Sequence, residues 1–216
     1  MVDTLTLILA GVLAYSLGAM ALRRRGYLPS FLRVSGPITT IHTARGKALL
    51  DRLARHRRFW RAWASVGVGA SLVVLVGMFL TVVLSGVMSL RQPAANPIQE
   101  PKNALVIPGF NDFLPAEAAP GIIFGLVIAM VVHEGGHGLL CRVEGIDIDS
   151  MGVGLFTVIP IAAFVEPDEE SRQEADRGAQ TRMFAAGVTN NFVLTAIAFL
   201  LLFGPVIGSI HAVGGV

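Results

Sequence analysis

The sequence predicts an α-helical membrane protein of about four transmembrane helices, with a small membrane-associated β-hairpin or sheet. Three observations carry that expectation. Hydrophobic residues make up 53% of the 216 residues before the 24 glycines are counted, and charged residues only 15%. An average soluble domain has roughly 45–50% apolar residues with glycine included, and about 25% charged. Four apolar stretches are long enough, or nearly long enough, to cross a bilayer, and residues 150–165 form a 16-residue uncharged stretch rich in Val, Ile, Phe and Thr. Such a composition excludes disorder, which needs low hydrophobicity and high charge. It also leaves too little polar surface to cover a soluble domain of this size, so lipid takes part of the apolar surface.

A bilayer crossing takes about 20 apolar residues. Leu5–Leu22 is uncharged, and so are Ala62–Leu90 over 29 residues and Met183–Ile210 over 28. The third stretch is uncharged over Ala118–Val132 and continues through His133 and Glu134 to Val143. The first differs from a cleaved signal peptide, because Arg23, Arg24 and Arg25 follow it rather than precede it. Between the first two spans, Thr43–Trp63 mixes Leu49, Leu50, Leu53, Phe59 and Trp60 with arginines. It reads either as an amphipathic helix on anionic headgroups or as a solvated basic helix. The segment 91–117 holds five prolines and reads as an extended loop, with the apolar patch Leu105–Phe113 touching the bilayer surface. Ser150–Val165 has a strand composition with Gly152, Gly154 and Pro160. Strand backbone cannot face lipid unpaired, which points to a re-entrant hairpin beside the third span or to a soluble hairpin.

Charge sets the expected orientation. Eleven of the 17 basic residues lie between Arg23 and Arg61, and only Arg91 and Lys102 lie in 91–117. The positive-inside rule puts 23–61 and 144–182 in the cytoplasm and 91–117 and the C-terminus outside. The basic block lacks an aromatic stacking pattern or finger spacing, so no nucleic-acid partner is expected. The expected location is the cell membrane, as a multi-pass protein. A single cysteine, Cys141, excludes an internal disulfide.

The stretch with evident chemistry is His133-Glu134-Gly135-Gly136-His137. On a helix, residues i and i+4 share a face. Two imidazoles there can bind one Zn2+ ion, with the adjacent glutamate as general base toward an activated water. Polar groups inside a span are costly and usually functional, although a hydrogen-bonded cluster joining helices would also place them there. Helix rise puts zinc about 18 Å from Gly121, in the cytoplasmic half of the bilayer. Gly135, Gly136 and Gly138 suit close approach of another backbone. Two histidines leave zinc one protein ligand short of the usual three. Cys141 lies about 12 Å along the axis from His133, too far for one ion, and Glu166, Asp168, Glu169 and Glu170 form a charge run that reads as a solvated turn. Asn190 and Asn191, inside the last span, either hydrogen-bond across helices or hold a substrate backbone or oxyanion.

Residues 104–114, 131–138, 160–170 and 182–192, in this order, resemble the site-2 protease family of intramembrane zinc metalloproteases, and an archaeal-type, PDZ-containing member in particular. The likeness is strongest over 104–203. It implies hydrolysis of peptide bonds in the transmembrane segments of membrane-anchored regulators. It implies His133 and His137 as zinc ligands, Glu134 as the base, Asn191 as a substrate or oxyanion contact, and a sheet around 150–165 that guides the unwound substrate. The family's third ligand is an aspartate in a Leu-Asp-Gly motif on a later helix, which the 216 residues do not contain. The expectation is therefore a fragment whose third zinc ligand is not in this chain, with a shortened paralogue as the alternative.

The expected layout is a first span and basic cytoplasmic loop over 1–61, a second span and external loop over 62–117, and a partial zinc metalloprotease core over 118–210. Residues 211–216 would then begin a PDZ-like domain. The competing functions are a non-catalytic pseudoprotease that binds membrane helices, and a zinc transporter or sensor. The near absence of polar residues in the first two spans weighs against transport.

Overall fold

The computed structural model describes residues 4–91, 107–110 and 114–206. Four helices are long and apolar enough to cross a membrane: α1 (Thr4–Arg24), α3 (Arg57–Arg91), α4 (Ala119–Glu144) and α6 (Arg177–Leu201). A π-turn continues α6 over Leu202–Val206, and Pro205 falls within it. The expected extended conformation of most of 91–117, the patch at Leu105–Phe113, the last residues of the fourth span and the segment 211–216 lie largely or wholly outside the described residues.

The segment expected to be one helix over Thr43–Trp63 is two. Helix α2 covers Ala44–Leu53, and α3 begins at Arg57, inside the basic block. The break is sealed locally. The Trp60 indole N–H donates to the Leu53 carbonyl at 2.9 Å, satisfying one of the acceptors that a helix end leaves free.

The β element is larger than a hairpin. Strands β1 (Leu32–Ser35), β2 (Ile38–His42), β3 (Ile148–Phe156) and β4 (Ile159–Pro167) form one antiparallel sheet in the order β1-β2-β3-β4. β2 pairs with β3 from Ile38 against Phe156 to His42 against Gly152. Gly152 is what lets the two strands meet, because a side chain there would run into the Ile41 carbonyl. The amino-terminal loop and the segment after α4 are therefore one structure.

The core lies where α2, α3, α4, α6 and the sheet converge. Leu140, Val143, Ile146, Met183 and Ala186 are buried there with Leu50, Ala54 and Ala64. Away from this end the spans expose large apolar side chains, such as Leu75, Phe79 and Val82 on α3, as expected of surface covered by lipid. Helix α3 meets α6 at Gly67, where a side chain would collide with Thr189. Helix α1 is tied to the sheet by polar contacts, Tyr15 Oη to Thr39 Oγ1 and Arg23 Nη1 to the Val34 carbonyl, both at 2.6 Å.

Candidate metal centre

Helix α4 presents its histidines to α6. The helix ends at Gly145, whose φ of 81° is left-handed and suits glycine. His133 and His137, one turn apart, have ring centroids 4.8 Å from each other. Facing them, α6 runs antiparallel with Met183, Gly187 and Asn191 in steps of four, which is one stripe of a helix.

Each member of the stripe meets a histidine. The Met183 carbonyl lies 2.8 Å from His137 Nδ1 and accepts its N–H. Asn191 Nδ2 lies 3.2 Å from His133 Nδ1. Between them, a Cβ on Gly187 would fall 2.6 Å from His137 Nε2 and 2.7 Å from His133 Nε2. Both Nε2 atoms therefore border the same small space, and it stays open because residue 187 has no side chain.

Glu134 belongs to the same cluster. One ligand atom from each of His133, Glu134 and His137 can be chosen so that all lie within 4.8 Å of one another. Glu134 Oε2 accepts the backbone N–H of Val165 at 3.1 Å, so β4 is joined to the cluster. No other His, Cys, Asp or Glu joins this group among the described residues.

The glycines expected to allow close approach divide. A Cβ on Gly136 would fall 2.8 Å from the Ala186 carbonyl, and one on Gly138 2.7 Å from Leu50 Cδ1, whereas Gly135 has nothing within 4 Å. Gly136 thus sets the distance between α4 and α6. The two asparagines also divide. Asn190 Oδ1 accepts from the Trp63 indole N–H at 3.1 Å, a contact between helices, while Asn191 sits at the histidines.

The acidic run has local partners. Glu166 accepts from the Ser150 hydroxyl at 2.8 Å, and Asp168 caps the short helix α5 (Glu169–Glu174) through the Ser171 N–H. Glu169 accepts from Arg172 and Gln173, and these hydrogen bonds, Arg172's above all, hold its carboxyl below the usual range. Cys141 is fully buried on α4, away from the histidine cluster.

Glu144, like Gly187, escaped the sequence reading. The Glu144 side chain is 2% exposed and bridges Arg61 Nη2 at 3.0 Å and Arg182 Nε at 2.7 Å. It locks together the adjacent ends of α3, α4 and α6. The available signal was an acid at the end of one span with arginines beginning two others.

Fold and site together define a class: multi-span membrane proteins built round a His-Glu-x-x-His helix. Comparison with known proteins narrows it. The family model described as Peptidase family M50 matches residues 121–213. An uncharacterized protein of Methanocaldococcus jannaschii is 28% identical over 163 residues, covering 75% of this chain and 42% of that protein. A protein of Arabidopsis thaliana described as a membrane-bound transcription factor site-2 protease homolog is 28% identical over 148 residues, covering 66% of this chain and 27% of that protein. No solved structure matches. The match over residues 121–213 and the likeness to the Arabidopsis homolog support the site-2 protease family of membrane metalloproteases for this chain. It spans less than half the length of these two relatives.

Metalloproteases of this family use zinc, and the residues present suit that ion. Two imidazole nitrogens meet at a space that a single methyl group would fill, and a Glu134 carboxylate oxygen lies within 4.8 Å of a nitrogen of each ring. Backbone and amide groups engage the far nitrogens of both rings, as zinc-binding histidines require.

Proposed function

We propose that the chain carries the metal-and-base part of an intramembrane zinc endopeptidase of the cell membrane. Its substrates would be transmembrane segments of membrane-anchored regulators. In this reading 118–210 is the protease core, and the preceding segments are the first span with its basic cytoplasmic loop and the second span with its external loop. The observation that carries the proposal is the meeting of His133 Nε2 and His137 Nε2 over Gly187, with Glu134 beside them.

His133 and His137 would hold zinc, and Glu134 would act as base. Zinc when bound supplies a Lewis acid that polarises the scissile carbonyl and acidifies water. Glu134 accepts the proton of the attacking water and delivers it to the nitrogen of the breaking peptide bond. One acid is formed and one amine released, and the carboxylate ends as it began. The Val165 N–H occupies Oε2, which leaves Oε1 for the proton.

β4 gives the substrate a place. It is an edge strand, and the Val165 N–H points away from β3. An unwound substrate segment could pair along that edge, which is how extended peptides commonly bind. Pairing would present its backbone beside Glu134 and satisfy polar groups that lipid cannot.

The test is cleavage of a membrane-anchored substrate in proteoliposomes by the complete protein. Glu134→Gln should keep zinc and lose cleavage, while His133→Ala should lose both. Cleavage at the normal rate by the glutamine variant would remove Glu134 from the base role. Zinc retained at full strength by His133→Ala would overturn the metal assignment.

A further inference from the structure

Asn191 presents a buried amide to a ring nitrogen. Its Nδ2 lies 3.2 Å from His133 Nδ1, while its Oδ1 is buried without a hydrogen-bond partner. The amide and the ring can hydrogen-bond in two ways. If Nδ2 donates, His133 carries its own proton on Nε2, the atom that borders the space over Gly187. A protonated Nε2 has no lone pair for a metal. If Nε2 is the ligand atom of a neutral ring, the proton sits on Nδ1, and Nδ1 then needs an acceptor. The amide supplies one by a half-turn about its last bond, which exchanges oxygen and nitrogen.

We infer that Asn191 is a positioning residue whose Oδ1 accepts the His133 Nδ1–H, fixing the tautomer that leaves Nε2 free for the metal. The inference rests on the metal assignment proposed above. Its independent support is the symmetry of the stripe. Eight residues earlier on α6, the Met183 carbonyl does for His137 what the Asn191 carbonyl does for His133. One helix thus holds both rings from behind with two carbonyl oxygens, one from backbone and one from a side chain, and leaves room for the ion between them at Gly187. The turned amide also moves its NH2 to the buried position where Oδ1 has no protein partner. A donor there is available to a substrate carbonyl, so the tautomer role is compatible with the contact the sequence implied.

The experiment has two arms on the purified protein in detergent. The first is 15N NMR of the histidine-labelled, metal-free protein, with the His133 signals identified by their loss in His133→Gln. The Nδ1–H tautomer of His133 is expected, and a dominant Nε2–H tautomer would overturn the inference. The second is zinc competition titration. Partners of this kind are commonly worth 10–100-fold in metal affinity. Asn191→Leu, which lacks an acceptor, should bind zinc at least tenfold more weakly. Asn191→Asp, whose carboxylate accepts the same N–H, should stay within a few-fold of the native protein and restore the His133 Nδ1–H signature. Leucine binding zinc as well as asparagine, or aspartate binding as weakly as leucine, would overturn the role. If the native protein binds zinc no better than His133→Ala, the metal assignment itself falls, and the tautomer of the metal-free ring still decides whether Oδ1 faces Nδ1.

Discussion

Replacing Gly187 with alanine separates stability from metal binding, because the two effects have different sources. The added Cβ would fall 2.6 Å from His137 Nε2 and 2.7 Å from His133 Nε2, against 3.4 Å or more for ordinary contact. Each ring must therefore retreat by about 0.8 Å. Functional groups generally need placing to within about 0.5 Å. Retreat also strains the hydrogen bonds to Met183 and Asn191 that hold the rings. Overpacking usually costs about 1–3 kcal/mol, while replacing an interior helical glycine by alanine returns about 1 kcal/mol. The metal-free fold should thus lose at most about 2 kcal/mol by that difference. Zinc affinity should fall at least about 100-fold, which is roughly 2.8 kcal/mol. Competition titration with a zinc indicator gives the affinity, and thermal unfolding of the metal-free protein gives the stability. Gly135→Ala is the control, since a Cβ there meets nothing within 4 Å, and it should bind zinc normally. Unchanged zinc affinity in Gly187→Ala would refute the idea that this glycine is the floor of the metal site.

Other perturbations probe the surroundings. Val165→Pro removes the N–H that holds Glu134, at an edge position where proline is tolerated; in the proteolysis assay of the proposed function the cleavage rate should fall about 10–100-fold, the scale of one hydrogen bond to a charge, with zinc affinity intact. Glu144→Ala leaves Arg61 and Arg182 facing a vacated buried site; with both arginines partly exposed, a loss of about 2 kcal/mol in detergent unfolding is expected rather than the 3–5 of a fully buried pair. With Cys141 replaced, a cysteine at position 56 should label from the cytoplasmic side and one at 103 from outside, following the charge bias; the reverse pattern would invert the topology.

The spans and the histidine pair were legible because each is a local pattern. Uncharged runs report the bilayer, and His133 and His137 at i and i+4 report a shared face. The short strands β1 and β2 were not read, although Leu32–Ser35 and Ile38–His42 flank a Gly36-Pro37 turn and are rich in β-branched residues. Their arginine-rich context, which reads as a membrane orientation signal, outweighed that cue. The break between α2 and α3 was hidden for another reason. Trp60 reads as one more apolar residue of an amphipathic pattern, and its closure of α2 at Leu53 is a fact of folding back. Gly187 was silent in sequence, because glycine at a helix crossing and glycine beneath a metal look alike until the facing helix is known. Register between α4 and α6 decides it, and register is a property of packing.

Register also says how deep the sheet goes. Val165 meets Glu134, while Ile159, Pro160 and Ile161 line a cavity of about 420 Å3 with Ile123, Leu126, Val127 and Met130. From Val165 to Ile159, six strand steps cover about 20 Å. From Glu134 to Ile123, eleven helical steps cover about 16 Å. The strand therefore runs beside α4 from the level of the cluster into the half of the helix that carries no charge. Val158, Ile159 and Ile161 are exposed there, which suits an apolar surrounding. The other end of the sheet is pinned near the basic loop, where Lys47 donates to the carbonyls of Ile148 and Asp149. β2 pairs with β3, which joins the segment after α1 to the segment after α4, in agreement with the common side expected from the charge bias of 23–61 over 91–117 and the two spans between. A strand edge held at bilayer depth cannot turn to water for its backbone partners. Glu134 supplies one such partner to Val165; under the function proposed above, the rest of that edge would hold an extended substrate segment beside the residue proposed as base.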